Sequence, residues 1–171
     1  MPGKSRSSRE IARNSAPPAG RHATESLQPC GPTPLRSRIM ASIGPRDTVP
    51  ELTVRRALHA AGLRFRLHAV SLPGRPDIVL PRFRSVVFVH GCFWHRHIGC
   101  RRSTIPRTNR AWWADKLRRN RARDRRNQRA LHELGWRVFV LWECEVERRA
   151  ALDALIRRIR AVRPAPARPT R

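Results

Sequence analysis

The sequence predicts an α/β domain in which a central mixed β-sheet is flanked by helices. Three observations carry that prediction. Two short apolar runs rich in β-branched residues, Pro76 to Leu80 and Ser85 to His90, are joined by the turn-like string PRFR. A third strand-like run, WRVFVLW at 136 to 142, follows a long helical segment. Helical periodicity precedes, separates and follows these runs, the alternation that builds α/β layers. At 171 residues the chain has room for one such domain with its own core.

Each element has its own local reason. Residues 1–35 are rich in Ser, Arg, Pro, Ala and Gly without apolar periodicity and read as a disordered basic extension; the tail 163–171 (RPAPARPTR) reads the same way. The foldable domain is therefore 36–162, without internal repeats. Pro50 through Ala61 places Leu52, Val54, Leu58 and Ala61 near helical spacing, with Thr48 as N-cap, Pro50 in the first turn and Gly62 as the stop. Arg64 to Leu67 fits an edge strand. Trp112 to Leu134 reads as a long, very basic helix closed by Gly135, and Ala150 to Val162 as a final amphipathic helix.

The formal net charge is +25, from 37 basic and 12 acidic residues. Only Lys4 and Lys116 are lysines, so compositional bias accounts for arginine in place of lysine. It does not account for the scarcity of acids. A polyanion partner does, because neutralising phosphates releases condensed counterions, although charge alone would also suit a ribosomal or membrane-surface protein. No apolar run reaches the roughly 18 residues of a membrane span, and the N-terminal string lacks the apolar stretch of a secretory signal. Four cysteines at irregular spacing do not resemble a disulfide scaffold, so the expected setting is a reducing cytoplasm.

The densest chemistry lies in VHGCFWHRHIGC at 89–100. Cys92, His97 and Cys100 have C-x4-H-x2-C spacing, and Cys144 follows the third strand. Three thiolates and one imidazole suit structural Zn²⁺. Two buried cysteines near a hydrogen-bonded histidine would be the bland reading of the local string. Topology tilts the balance: the strand ending near Cys144 is expected to lie beside the strand ending at His90. Cys30, in the N-terminal extension, is left as a free thiol. His90 and His95 in the same loop are not needed for zinc and remain for acid–base work or phosphate contact.

Acids are few, so each in the domain is informative. Asp77, in GRPDIVL, immediately precedes a strand, the placement of the carboxylate in PD-(D/E)xK nucleases that hold Mg²⁺ on the scissile phosphate. The next strand carries no E-x-K, only Phe88, Val89 and His90, and an aspartate in a turn before a strand is the ordinary alternative. In the long helix, Asn120 and Asp124 interrupt the stripe of Trp113, Leu117 and Leu131. A polar pair on an inward face requires partners such as an imidazole, while neighbouring arginines offer Asp124 a simpler pairing. Glu51, in the first turn of the first helix, suits the helix dipole.

Taken together, RSRIMASIGPRDTVPELTVRRALHAAGLRFRLH, LPGRPDIVLPRFRSVVFVHGCFWHRH and ARDRRNQRALHELGWRVFVLWEC closely resemble the very short patch repair (Vsr) mismatch endonucleases, from about Arg36 to Glu145. The resemblance implies a restriction-endonuclease-like core of PD-(D/E)xK type with a structural zinc site. It implies that Asp77 and the main-chain carbonyl of Val89 hold catalytic Mg²⁺; the family's threonine at 89 is valine here, a change that keeps the carbonyl. It implies that His90 and His95 act at the scissile phosphate, supported by Glu51 and Asp124, and that Cys92, His97, Cys100 and Cys144 hold Zn²⁺. Phe93, Trp94 and Trp113 match aromatics that wedge into the DNA stack beside the mismatch. Met40 and Ile43 match a DNA-binding arm, residues 36–48, that enters the minor groove. The implied substrate is double-stranded DNA with a T·G mismatch left by deamination of 5-methylcytosine, nicked 5′ of the thymine by a monomer, with a MutL-type repair protein as partner. One departure is that the IGC string at 98–100 makes the zinc loop one residue longer than in close relatives. Two other readings compete: a restriction-like nicking endonuclease of the same fold with other specificity, and a non-catalytic zinc-stabilised DNA-binding protein. Retention of Glu51, Asp77, His90, His95 and Asp124 together argues against the last.

Overall fold

The computed structural model describes residues 47–67 and 69–161. The expectations for the 1–35 extension, Cys30, Met40, Ile43 and the 163–171 tail lie outside the described residues. The first helix, α1 (Val49–Ala60), has Thr48 as an extended N-cap residue and Pro50 in its first turn. Its inward face is Glu51, Val54, Arg55 and Leu58, the i, i+3, i+4, i+7 set of one helical stripe. Gly62 follows at φ +74, where a residue without Cβ leaves the helix at no steric cost.

Strand β1 (Arg66–Leu67) is exposed, β2 (Ile78–Leu80) is wholly buried, and β3 (Ser85–His90) is buried along nearly its whole length. Pro81–Phe83 forms one 3₁₀ turn between β2 and β3, and Arg84 turns the chain in the left-handed region. Helix α2 (Arg110–Glu133) starts two residues earlier than its apolar stripe alone predicts. Strand β4 (Arg137–Trp142) runs directly into a one-turn helix, α3 (Glu143–Val146), and α4 (Arg149–Arg160) completes the domain.

The sheet order is β1-β2-β3-β4, with β1, β2 and β3 antiparallel and β4 parallel to β3, the mixed sheet that the sequence predicts. Side chains alternate across it. Ile78, Leu80, Val87, Phe139 and Leu141 pack with Val54 and Leu58 of α1 and with Leu152, Leu155 and Ile159 of α4. On the opposite face Val79, Val86 and Phe88 pack with Leu131 of α2, joined by Trp136, Val138 and Val140. Each fully buried aliphatic side chain contributes about 1.5–3 kcal/mol of transfer free energy. These two clusters fix the sheet between α1 and α4 on one side and α2 on the other. Among the described residues no helix is long and apolar enough to cross a membrane.

Candidate active site and metal centre

Because β3 and β4 are parallel and in register, His90 lies opposite Trp142 and both strands end level. The loop carrying Cys92, His97 and Cys100 and the short helix carrying Cys144 therefore leave the sheet at the same end. Their four ligand atoms lie within 4.8 Å of one another. His97 Nδ1 is 3.6 Å from Cys92 Sγ and 3.3 Å from Cys144 Sγ. A tetrahedral ion with ordinary metal–thiolate and metal–imidazole bonds separates S and N by roughly 3.5 Å, so the donor set and its spacing fit such a centre.

The surroundings hold these ligands in place. Cys92 N–H donates to Glu143 Oε2 at 3.2 Å, and the Trp142 indole stacks on the His97 ring at 4.2 Å and 2°. Arg96 and Gly99 take positive φ, and the Arg96 guanidinium donates to the Ser103 carbonyl at 2.6 Å, so the longer loop still returns Cys100 to the cluster. Burial pushes the Cys92 thiol up to about 12. A metal held by these four side chains would displace the proton that the Cys92 thiol otherwise keeps.

At the same end of the sheet, a cavity of about 440 Å³ is lined by Glu51, Asp77, Val89, His90, His95 and Asp124 among others. One oxygen of Asp77 accepts the Val89 N–H at 2.8 Å, which fixes the carboxylate against the end of β3. His95 Nδ1 pairs with Asp124 Oδ2 at 2.6 Å, and Asn120 donates to the Trp94 carbonyl at 3.2 Å. Both interruptions in the apolar stripe of α2 are thereby accounted for: each reaches the loop after β3. The stripe itself is buried, with Trp113 and Leu117 at 1% exposure and Leu131 at 0%.

His90 stacks on His95 with ring centroids 3.9 Å apart. Burial lowers the His90 pKa to about 4; His95 and Arg123 act in the same direction and Asp124 against it. Burial works to raise the Asp124 carboxyl, yet the His95 hydrogen bond and the nearby imidazoles and Arg123 outweigh it and hold it below the usual value. Glu51 is 5% exposed and accepts hydrogen bonds from Thr48 Oγ1 at 2.9 Å, Asp47 N–H at 3.1 Å and Arg55 Nη2 at 2.8 Å. A charge serving only the helix dipole has no need of that burial. Arg55 is its buried partner. Sequence reasoning passed over it, although its i+4 spacing from Glu51 is a legible signal.

Phe93, Trp94 and Trp113 form one aromatic cluster, with Phe93 5.1 Å from Trp94 and 5.3 Å from Trp113. Trp113, the third aromatic that the resemblance matches to the wedge, lies innermost in this cluster. Its indole is buried under Phe93, Trp94 and Trp112, because it occupies the inward stripe of α2. Phe93 and Trp94 are half-buried, as is Trp112, a further aromatic that the sequence reading did not single out.

The family model described as DNA mismatch endonuclease Vsr matches residues 33–102. The DNA mismatch endonuclease Vsr of Escherichia coli is 44% identical over 126 residues, covering 72% of this chain and 80% of its own length. This chain belongs to the Vsr endonuclease family. The type II nicking enzyme V.XorIIP of Xanthomonas oryzae is 49% identical over 128 residues, 74% of this chain and 93% of the relative. The type II nicking enzyme V.NmeAIP of Neisseria meningitidis is 39% identical over 132 residues, 75% and 94% respectively. The Vsr-family chain is accordingly a nicking endonuclease acting on DNA, and its cavity is built from residues of three elements and two loops that meet at one end of the sheet.

Proposed function

We propose that this Vsr-family enzyme nicks double-stranded DNA 5′ of the thymine in a T·G mismatch left by deamination of 5-methylcytosine, acting as a monomer with Mg²⁺ for chemistry and Zn²⁺ for the fold. The observation that supports it best is the convergence of Asp77, Val89, His90 and the His95–Asp124 pair on one cavity. A carboxylate beside a main-chain carbonyl is a hard oxygen set that suits Mg²⁺, and Asp77 with the Val89 carbonyl would hold it. When bound there, Mg²⁺ would neutralise developing phosphate charge and make water more acidic.

The protein groups divide the remaining work. Asp124 holds His95 through Nδ1, so proton exchange with the phosphate oxygens or water falls to the other ring nitrogen, Nε2. His90 stays neutral at neutral pH and offers a hydrogen bond without a second positive charge. Phe93 and Trp94, with Trp113 packed against them, supply the wedge. Unstacking a step costs roughly a few kcal/mol and less beside a weak wobble pair, which favours a mismatch. Cys92, His97, Cys100 and Cys144 would hold Zn²⁺, and a MutL-type repair protein is the proposed partner.

A second reading is favoured by the relatives named type II nicking enzymes: incision at a fully paired site. Strand-specific nicking of end-labelled duplexes that differ only in a T·G or C·G pair, with Mg²⁺ or EDTA, separates the two. The proposal expects Mg²⁺-dependent cutting 5′ of the mismatched thymine and none on the paired duplex. Equal cutting of both duplexes establishes the second reading, and cutting in EDTA overturns the metal assignment.

A further inference from the structure

The His95–Asp124 pair is shared by two cavities. The first, already described, contains the carboxylates Glu51 and Asp77. The second, of about 320 Å³, also reaches His90, His95, Asp124 and Gln128, and adds Arg96, Arg121 and Arg125 beside His97, Ile98, Val140 and Trp142. Arg121, Asp124, Arg125 and Gln128 are spaced i, i+3, i+4 and i+7 on α2, so they present one face. At a rise of about 1.5 Å per residue, Arg121 lies roughly 4.5 Å along the helix axis before Asp124 and Arg125 roughly 1.5 Å beyond it.

Several surface arginines are matched with acids: Arg118 and Arg119 with Asp115, Arg102 with Glu147, Arg149 with Asp153. Among the described residues no carboxylate pairs with Arg121 or Arg125. Arg121 is half-buried all the same, and Arg96, anchored to the Ser103 carbonyl, holds a third guanidinium against the same cavity. Guanidinium groups gathered beside a reaction centre whose carboxylate, Asp124, is already paired with His95 fit a phosphodiester, which they contact through forked, charge-assisted hydrogen bonds.

We propose that this second cavity is a phosphate subsite: Arg121 and Arg125 hold a backbone phosphate of the cut strand within two positions of the scissile one. The inference rests on the reading of the first cavity as the place of incision. Its function is positioning. By fixing a neighbouring phosphate, the arginines set where the scissile phosphate falls relative to His95, and a small misplacement there is expensive in rate.

The test uses T·G duplexes that each carry one neutral methylphosphonate, placed in turn at the two phosphates on either side of the nicked bond. Single-turnover nicking and duplex affinity are measured for the full-length wild type, for Arg121→Ala/Arg125→Ala, and for the Lys/Lys variant that keeps both charges. The wild type is expected to lose about 10-fold in rate at one flanking position, the scale of one charge-assisted hydrogen bond. On the unmodified duplex the Ala/Ala variant is expected to lose a similar factor, to be insensitive at that one position, and to remain sensitive at the others. The Lys/Lys variant should recover part of the rate and the positional sensitivity. Strictly multiplicative losses, with the variant as sensitive as the wild type at every position, overturn the subsite. If wild-type enzyme makes no cut in the unmodified duplex, it is the underlying incision reading that fails.

Discussion

The His90 imidazole is 6% exposed at the end of β3, and the sign of its titration follows from that burial. Its pKa falls from 6.5 to about 4, with desolvation the largest cause. The unfolded chain therefore takes up the proton more readily than the folded one, and stability is lost as pH drops through the window between those values. Asp124 is lowered from its ordinary value, so its contribution is present above the unfolded carboxyl pKa and is lost only at still lower pH, through the folded pKa. We expect thermal melts to decline from pH 6.5 to pH 4 in the wild type and His90→Asn to flatten that decline; an unchanged pH dependence in the variant would exclude His90 as its source. At this scale the sequence was partly legible. An odd pair of histidines beside a candidate zinc set marked His90 and His95 as available for other chemistry. Their 3.9 Å ring stack was not legible, since it depends on how the 91–97 loop folds back.

At the level of elements, legibility tracked the strength of the local pattern. The β-branched runs at β2, β3 and β4 announced strands, and the polar interruptions in α2 announced contacts that the structure supplies through His95 and Trp94. The one-turn helix α3 was invisible because four residues carry no periodicity; it is held by Glu145, whose carboxylate accepts the Trp142 N–H at 3.0 Å. That turn presents Cys144 to the other three candidate ligands, so it couples the end of β4 to the loop after β3. Trp113, which the family match assigns to the wedge, occupies the buried stripe of α2 that its helical phase predicts. Since a structural metal supplies folding free energy, Cys144→Ser is expected to lose bound zinc and to melt at least about 10 °C lower, equivalent to a loss of a few kcal/mol in a domain of this size. Full zinc stoichiometry with an unchanged melting temperature would remove Cys144 from the ligand set.

For the whole molecule, charge and catalysis come from different parts of one design. The excess of 37 basic over 12 acidic residues attracts a polyanion wherever it lies, whereas the few acids are concentrated in their effect. Glu51, Asp77 and Asp124 come from α1, the turn just before β2, and α2, and only the mixed sheet brings them to one cavity. Sequence spacing alone could not show that convergence, because the three are separated by 26 and 47 residues. The family motifs made it foreseeable, and the parallel pairing of β3 with β4 gives the physical reason that the Cys/His cluster and the candidate acid–base residues share an end of the sheet. The most direct measurement compares Asp77→Asn with wild type in single-turnover nicking of a T·G duplex, alongside duplex affinity in the same buffer. Asparagine keeps an oxygen to accept the Val89 N–H and removes only the charge that would hold Mg²⁺. The account predicts affinity within a few-fold of wild type and a nicking rate about a thousandfold lower, the several kcal/mol that a properly held metal supplies. A variant that binds and nicks at the wild-type rate would contradict it.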